Sequence, residues 1–159
     1  MNVAKPLKRM TFEEFLAEPK QDGLTYEFID GIVMMSPRPA AKHQKISGKL
    51  YAKLLQLLEG KHCEPIQEID LVLEQQNFVP DLMIVCDENM NDMIRCEKPP
   101  LIVVEIISPS SASRDHWVKR EAYKALGIQE YWIISPDEKC ITVILFMRSK
   151  PAFCLLCSQ

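Results

Sequence analysis

The spacing of apolar positions changes from segment to segment, and each spacing predicts an element of secondary structure. A capping-box pattern, with Thr11 followed three residues later by Glu14, predicts a short helix that ends near Ala17. Apolar residues three and four positions apart predict a long helix over 42–59, which Gly60 ends. A third helix is predicted over 114–126.

Runs rich in β-branched and aromatic residues predict strands between these helices. Asp30-Gly31 separates two such runs, Tyr26–Ile29 and Ile32–Met35, which is a strong signal for a β-hairpin. Further strands are predicted at Ile69–Leu73, Val79–Cys86, Leu101–Ile107, Tyr131–Ile134 and Ile141–Met147. The segment 87–100 is expected to be a polar connection. This order predicts an α/β or α+β fold, a mixed sheet flanked by helices, in a single domain over residues 1–159.

The third helix is expected to pack against the sheet through one apolar face. Its predicted core residues are Val118, Ala122, Ala125 and Leu126. Trp117 and Trp132 are expected in the core or an interface rather than as stacking platforms for bases.

Composition and charge narrow the class of protein. The 159 residues are 47% hydrophobic and 26% charged, with a mean hydropathy of -0.08, which excludes a disordered or fibrous chain. We find neither an apolar run of about 18 residues nor an apolar segment of the secretory type near the start, so we expect no membrane span and a cytoplasmic protein. The net charge of -3 excludes a uniformly basic nucleic-acid binder, so any contact with nucleic acid must be local.

The cysteines indicate no obvious metal site. All six are expected to be reduced thiols, because the sequence shows no sign of an oxidising compartment. Cys154 and Cys157 form a CxxC pair, but a zinc site would need a second pair of ligands.

Two acidic residues stand inside apolar segments. Glu105 interrupts LIVVEII, and Asp81 lies within VPDLMIVC. An ionised carboxylate in an apolar strand is costly unless a cation or hydrogen-bond donors compensate it. Two such acids on neighbouring strands would repel each other and bind a divalent cation, because hard oxygen ligands suit Mg²⁺. The alternative is that the two carboxylates cap loops or accept bonds from an arginine.

Basic residues on the two longer helices have both a plain and a functional interpretation. Lys119 shares a helix face with Asp115 and Tyr123, and an exposed ion pair is its plain interpretation. The helix over 42–59 carries a row of lysines along one side, which is either a solvated flank or a track for a phosphate backbone. The row comprises Lys42, Lys45, Lys49 and Lys53, and a second cluster comprises Arg114, Lys119, Arg120 and Lys124. His43, in the same helix as the row, is a candidate for capping, packing or contact with the site.

Six segments follow one another along the chain in this order: YEFIDG, HQKISGKL, VPDLMIV, LIVVEIISPSS, RDHWVKREAY and GIQEYWIISP. Taken together, they resemble the Uma-two family, a branch of the PD-(D/E)XK nuclease superfamily. The resemblance covers about residues 10–147. The tail 148–159 departs from it, because relatives of this type usually continue with further strands.

The resemblance implies a restriction-endonuclease-like fold and an active site. Asp81 corresponds to the aspartate of the superfamily motif and Glu105 to its second acid, and both would bind Mg²⁺ or Mn²⁺. The usual lysine, two residues after the second acid, is replaced by Ile107, so Lys119 on the next helix becomes the catalytic candidate. Glu27 and His43 match acidic and histidine positions of the family and are auxiliary candidates.

Three functional interpretations follow from these features. The first is an Mg²⁺-dependent endonuclease that hydrolyses DNA phosphodiester bonds, with Lys119 orienting the attacking water. The second is a catalytically inactive nuclease-fold module that binds nucleic acid or a protein partner. The third is a purely structural domain, in which an arginine would neutralise Glu105. The apolar final strand and tail also predict a homodimer.

Overall fold

A computed structural model describes residues 9–87, 92–107 and 113–146, with the side chains of residues 113–116 excluded. The helices of the described residues are α1 (Phe12–Ala17), α2 (Ala41–Leu57) and α3 (Ser113–Ala125). None of them is long and apolar enough to cross a membrane. The strands are β1 (Leu24–Ile29), β2 (Ile32–Pro37), β3 (Glu64–Ile66), β4 (Asp70–Leu73), β5 (Gln76–Phe78), β6 (Leu82–Val85), β7 (Arg95–Cys96), β8 (Ile102–Ile106), β9 (Glu130–Ser135) and β10 (Cys140–Leu145).

The strands form two mixed sheets of five strands each. The first, sheet A, has the order β2-β1-β5-β4-β7, and the second, sheet B, has the order β10-β9-β8-β6-β3. Neighbours are antiparallel except for β4 with β7 and β8 with β9. The predicted fold class is confirmed, although the sequence predicted one sheet. The predicted strand Val79–Cys86 starts later, at Leu82, because Pro80 has no N–H for a ladder and the chain passes there from β5 in sheet A to β6 in sheet B.

The predicted hairpin and the capping box are confirmed. Asp30 and Gly31 have φ angles of 50° and 80°, as a tight two-residue turn requires, and β1 pairs with β2 from Ile29↔Ile32 onward. Thr11 accepts a hydrogen bond from the N–H of Glu14, whose carboxylate accepts one from the N–H of Thr11. Three strands of two or three residues, β3, β5 and β7, were not predicted, and β7 lies in the supposed polar connection 87–100.

Sheet B contributes to a different apolar cluster on each of its faces. Met83 and Val103 belong to the cluster that also contains Tyr123 of α3 and Leu71 of sheet A. The residues that alternate with these along the strands, including Val104, point to the other face and belong to a second cluster, which also contains residues of α2. Strand β8 is buried at all five positions, as expected for a strand covered on both sides.

The buried face of α3 differs from the predicted one. Val118 and Ala125 were expected in the core, but both are exposed. Among the described side chains from residue 117 to the residue after the helix, those buried are Lys119, Ala122, Tyr123 and Leu126, which are spaced at i, i+3, i+4 and i+7. The helix is therefore rotated so that a lysine enters the core. Of the two tryptophans, Trp132 packs against the α2 cluster, whereas Trp117 is 60% exposed and is not a core residue.

Two of the six cysteines form a disulfide, so the prediction of reduced thiols is wrong for Cys63 and Cys86. Strand β3 pairs antiparallel with β6, with Glu64 opposite Val85. The same register, extended by one residue, places Cys63, which precedes β3, opposite Cys86, which follows β6. Their Cα atoms are 4.1 Å apart. The pairing was not foreseen because β3 was not predicted. Cys96 and Cys140 are free thiols, and Cys154 and Cys157 lie outside the described residues.

Candidate active site

Two acidic side chains meet where β6 begins and β8 ends. Strand β6 pairs antiparallel with β8, with Leu82 opposite Val104, so the same register extended by one residue puts Asp81 opposite Glu105. The carboxylate of Asp81 accepts a hydrogen bond from the backbone N–H of Ile106 at 2.6 Å, through Oδ2. Like charges directly across a ladder repel each other. The two predicted metal-binding acids are therefore held close together at a strand terminus.

Helix α3 brings a lysine and a tyrosine to the second acid. Glu105 is 6% exposed, and its Oε1 accepts hydrogen bonds from Lys119 Nζ and from the hydroxyl of Tyr123, both at 2.9 Å. Because Lys119 and Tyr123 are four residues apart on one helix face, both point at the same oxygen. Among the described side chains, the cation at Glu105 is therefore a lysine and not an arginine, contrary to the structural-domain interpretation.

Glu27 joins this cluster from sheet A. It is buried in β1, and its Oε1 accepts hydrogen bonds from Lys119 Nζ at 2.8 Å and from the backbone N–H of Val79 at 2.9 Å. Val79 precedes Asp81 by two residues. The ammonium of Lys119 therefore lies between two carboxylates, those of Glu27 and Glu105.

The excess of carboxylates over cations changes the protonation of the cluster. Burial, together with the charges of Asp81 and Glu27, raises the pKa of Glu105 to about 7, although Lys119 opposes the shift. Burial by itself would lower the pKa of Lys119, but Glu105 and Glu27 outweigh it and raise the pKa. Burial, followed by the charge of Glu105, raises the pKa of Tyr123, so its hydroxyl stays a donor. Lys119 is consequently an ammonium at neutral pH, and a cation near Glu105 would favour the ionised carboxylate.

His43 lies on the other side of Asp81. Its Nε2 is 3.1 Å from Asp81 Oδ2, and helix α2 carries it there from its first turn. The hydrogen bond to Asp81 raises the pKa of His43, although burial opposes the shift. Within the described residues, its Nδ1 is buried without a hydrogen-bond partner.

The other predicted basic residues whose side chains are described lie outside the cluster. The lysines of α2 are all exposed: Lys42, Lys45, Lys49 and Lys53. Lys42 forms an ion pair with Asp137 at 2.7 Å. The guanidinium of Arg120 lies 5.1 Å from the centre of the Trp117 ring. The side chain of Arg114 is outside the described part of the chain.

The donor set fits a hard divalent cation with few protein ligands. The described residues contain no group of three or more His, Cys, Asp or Glu side chains placed to hold a metal ion. Mg²⁺ is commonly held by one or two carboxylates, with water and substrate phosphates completing its coordination. Asp81 and Glu105 meet that requirement, because each places a carboxylate at the same strand terminus.

Sequence reasoning missed the hydroxyl of Tyr123 and the N–H of Val79. Tyr123 stands four residues after Lys119, and this spacing was the available signal that both reach one oxygen. The role of Val79 had no signal in the sequence, because any residue but proline supplies that N–H.

Comparisons with known proteins find a similar fold, a related sequence and a matching family model. A crystal structure of a "putative nuclease belonging to DUF820" from Anabaena variabilis superposes with a TM-score of 0.77 at 22% identity, over 87% of this chain and 81% of that chain. The uncharacterised protein slr1290 of Synechocystis sp. is 27% identical over 135 residues, which are 82% of this chain and 70% of the relative. The model of the Uma2 family, described as "Putative restriction endonuclease", matches residues 12–146. The chain therefore belongs to the Uma2 family, the Uma-two family that its sequence motifs resemble.

Proposed function

We propose that this protein is a metal-dependent endonuclease that hydrolyses phosphodiester bonds in DNA. The observation that carries the proposal is the 2.9 Å contact between Lys119 Nζ and the buried Glu105. It supplies a lysine beside the second acid, although residue 107 is isoleucine. Membership of the Uma2 family supports nuclease chemistry.

Asp81 and Glu105 would hold Mg²⁺ or Mn²⁺. Asp81 Oδ2 already accepts the Ile106 N–H and faces His43, and Glu105 Oε1 accepts two donors. A carboxylate oxygen offers about two lone pairs, so the other oxygen of each acid is assigned to the metal. When bound, the ion lowers the pKa of water and offsets the charge that develops on the phosphate.

Lys119 is proposed to orient the attacking water. A lysine ammonium has three N–H donors, and Glu27 and Glu105 accept from two directions. A water oxygen held by the remaining donor can attack phosphorus, so that a P–O bond forms to water and the bond to the leaving oxygen breaks. The attacking water loses a proton to solvent, and the leaving oxygen takes one from solvent. The reaction uses water as its only co-reactant and forms no covalent enzyme intermediate.

Helix α2 supports a DNA-binding role beside this site. It carries His43 at Asp81 and the exposed lysine row on the same 17-residue helix. A row of ammonium groups at intervals of one helical turn can follow a phosphate backbone. Arg114 and Arg120 on α3 are proposed as a second, separate set of contacts to DNA phosphates.

We also propose that the chain is one nuclease domain and forms a homodimer. Strand β10 is at the edge of sheet B, and its exposed face carries Ile141, Val143 and Leu145. An apolar edge strand is a template for pairing with another copy. Light scattering at tens of micromolar should give twice the monomer mass, and a monomer mass would contradict the dimer.

The decisive experiment is plasmid cleavage across a titration of Mg²⁺ and of Mn²⁺. Wild type should cut, Glu105→Ala should not, and Glu64→Gln should cut at the wild-type rate, because Glu64 is exposed in β3 opposite Val85, at the far end of β6. Thermal melts should show metal-dependent stabilisation of about 2.7 kcal/mol at a metal concentration of about one hundred times Kd. Superimposable melts would contradict the metal site. DNA binding without cleavage by the wild type would instead support the inactive-module interpretation.

A further inference from the structure

Glu27 belongs to a different sheet from the two proposed metal ligands. Asp81 immediately precedes β6 and Glu105 lies in β8, both strands of sheet B, whereas Glu27 lies in β1 of sheet A, opposite Met34 in the hairpin. It is 7% exposed, and a buried carboxylate needs compensating partners. The hydrogen-bond partners of Glu27 therefore indicate its role.

A single oxygen of Glu27 contacts two parts of the proposed active site, the ammonium of Lys119 and the backbone that leads to Asp81. Oε1 accepts from Lys119 Nζ at 2.8 Å and from the N–H of Val79 at 2.9 Å. The first contact holds the ammonium of Lys119 in place, and the second holds the backbone two residues before Asp81. Both contacts meet at one atom, so a shift of Glu27 would move the lysine and the aspartate segment together.

The contact with Lys119 also limits how far the lysine engages Glu105. Without Glu27, the ammonium would have Glu105 as its carboxylate partner in the cluster, and it could move fully onto that side chain. With Glu27 at 2.8 Å and Glu105 at 2.9 Å, the ammonium is held between them. A lysine held by two carboxylates has little freedom left in its long side chain.

We propose that Glu27 is a positioning residue, which uses its charge to hold Lys119 in the place where Lys119 orients the attacking water. The inference rests on the proposed nuclease function and adds to it a residue from the other sheet. The N-terminal hairpin is thereby a working part of the site.

Two substitutions separate positioning by charge from simple support of the backbone. Glu27→Gln keeps a carbonyl oxygen that can accept the Val79 N–H but removes the charge that faces Lys119. Glu27→Asp keeps the charge and withdraws it by one methylene. If Glu27 positions Lys119, Glu27→Gln should lower kcat about tenfold or more, with KM and DNA affinity within about threefold of wild type. Glu27→Asp should restore part of that loss, and Glu64→Gln should equal wild type.

A wild-type kcat in a folded Glu27→Gln protein would overturn the inference, because the hydrogen bond to Val79 would then be the whole role of Glu27. If Glu27→Gln does not fold, Glu27→Asp alone decides: a wild-type kcat in that variant also overturns positioning, since the shortened carboxylate cannot reach both donors unchanged.

A measurement without turnover distinguishes this inference from the nuclease proposal. Competitive acylation, read by mass spectrometry, reports how well each lysine is enclosed and paired. Lys119 should be at least about tenfold less reactive than exposed Lys124 in wild type, and its reactivity should rise severalfold in Glu27→Gln while that of Lys124 is unchanged. If the wild type cleaves no DNA but the labelling changes as expected, the nuclease proposal fails and the positioning of Lys119 stands. If Lys119 labelling is the same in both proteins, the positioning fails whatever the activity.

Discussion

Helices α2 and α3 both contact the paired acids, but they use their lysines in opposite ways. On α2 the lysines of the row are exposed, and the residue that reaches Asp81 is His43. On α3, Lys119 is 8% exposed and lies on the face that packs into the core. A lysine on an outer face needs no partner, whereas a buried lysine is stable only when it is paired. The difference separates a surface that can attract DNA from a group that can take part in a reaction.

Among substitutions of the helix lysines, loss of Lys119 should have the largest effect on activity. Lys119→Ala is expected to lower the cleavage rate by about 10²-fold or more, because it removes the group proposed to orient the water. Metal-induced stabilisation should persist, since Asp81 and Glu105 remain. The matched control is Lys124→Ala, an exposed lysine of the same helix. Equal cleavage rates for Lys119→Ala and wild type in a plasmid assay would show that Lys119 has no part in the mechanism. The lysines of α2 and α3 would then not differ in function.

The next largest effect should be the change of metal affinity with pH. The pKa of Glu105 is raised to about 7 by burial, so below that pH a metal ion must displace a proton. Apparent Mg²⁺ affinity, measured by thermal shift, should fall by up to about tenfold per pH unit below 7. Without metal, the folded state binds this proton more tightly than the unfolded state does, so the Glu105 contribution to stability should decrease as pH rises from about 4.5 to about 7. Glu105→Gln should lose both effects, and an unchanged pH profile in that variant would contradict the assignment.

Substitution of the exposed row should give a smaller effect of a different kind. A double variant, Lys45→Ala with Lys49→Ala, is expected to weaken DNA binding severalfold and to reduce the slope of log K against log salt by about 0.9 for each lysine that contacts a phosphate. The kcat should stay at the wild-type value, because neither residue touches the acids. Lys61→Ala, an exposed lysine beyond the end of α2, is the control. A loss of kcat at saturating DNA would show that α2 does more than bind.

The smallest effect is expected at the ion pair between Lys42 and Asp137. Both side chains are more than half exposed, so the pair is solvated and its 2.7 Å distance contributes little to stability. Lys42→Ala should change the free energy of unfolding by less than about 0.5 kcal/mol in a denaturant titration. A larger loss would mean that this end of the row is structural.

Much of the fold could be predicted because its signals are local. The Asp30-Gly31 turn, the Thr11 cap and the apolar strand around Glu105 each depend on neighbouring residues, and all three are present in the structure. The short strands β3, β5 and β7 could not be predicted, because two or three residues carry no periodicity.

The residues of the candidate site were named from the family motifs and their assignment stays a prediction, whereas the orientation of α3 that brings Lys119 to Glu105 was not predicted. The apolar pattern of α3 was assigned to Val118 and Ala125 because lysine is usually exposed, and the true face includes Lys119 and Tyr123. Only the carboxylates from β1 and β8 make a lysine tolerable there, and they are distant in the sequence. Partners of this kind leave no periodic trace, so the family motifs carried the prediction where the hydrophobic pattern was misleading.

The Val79–Asp81 link between the two sheets makes the site sensitive to chain length. Side chains alternate between the faces of a strand, so a shift of one residue would place Pro80 or Leu82, rather than Asp81, opposite Glu105. A single residue inserted in this link would either move the Val79 N–H away from Glu27 or shift the register of β6 by one residue, and a shifted β6 would turn its side chains to the opposite face of sheet B. The number of residues between β5 and β6 therefore couples the two sheets at the site, because one short segment places both Asp81 opposite Glu105 and the Val79 N–H against Glu27.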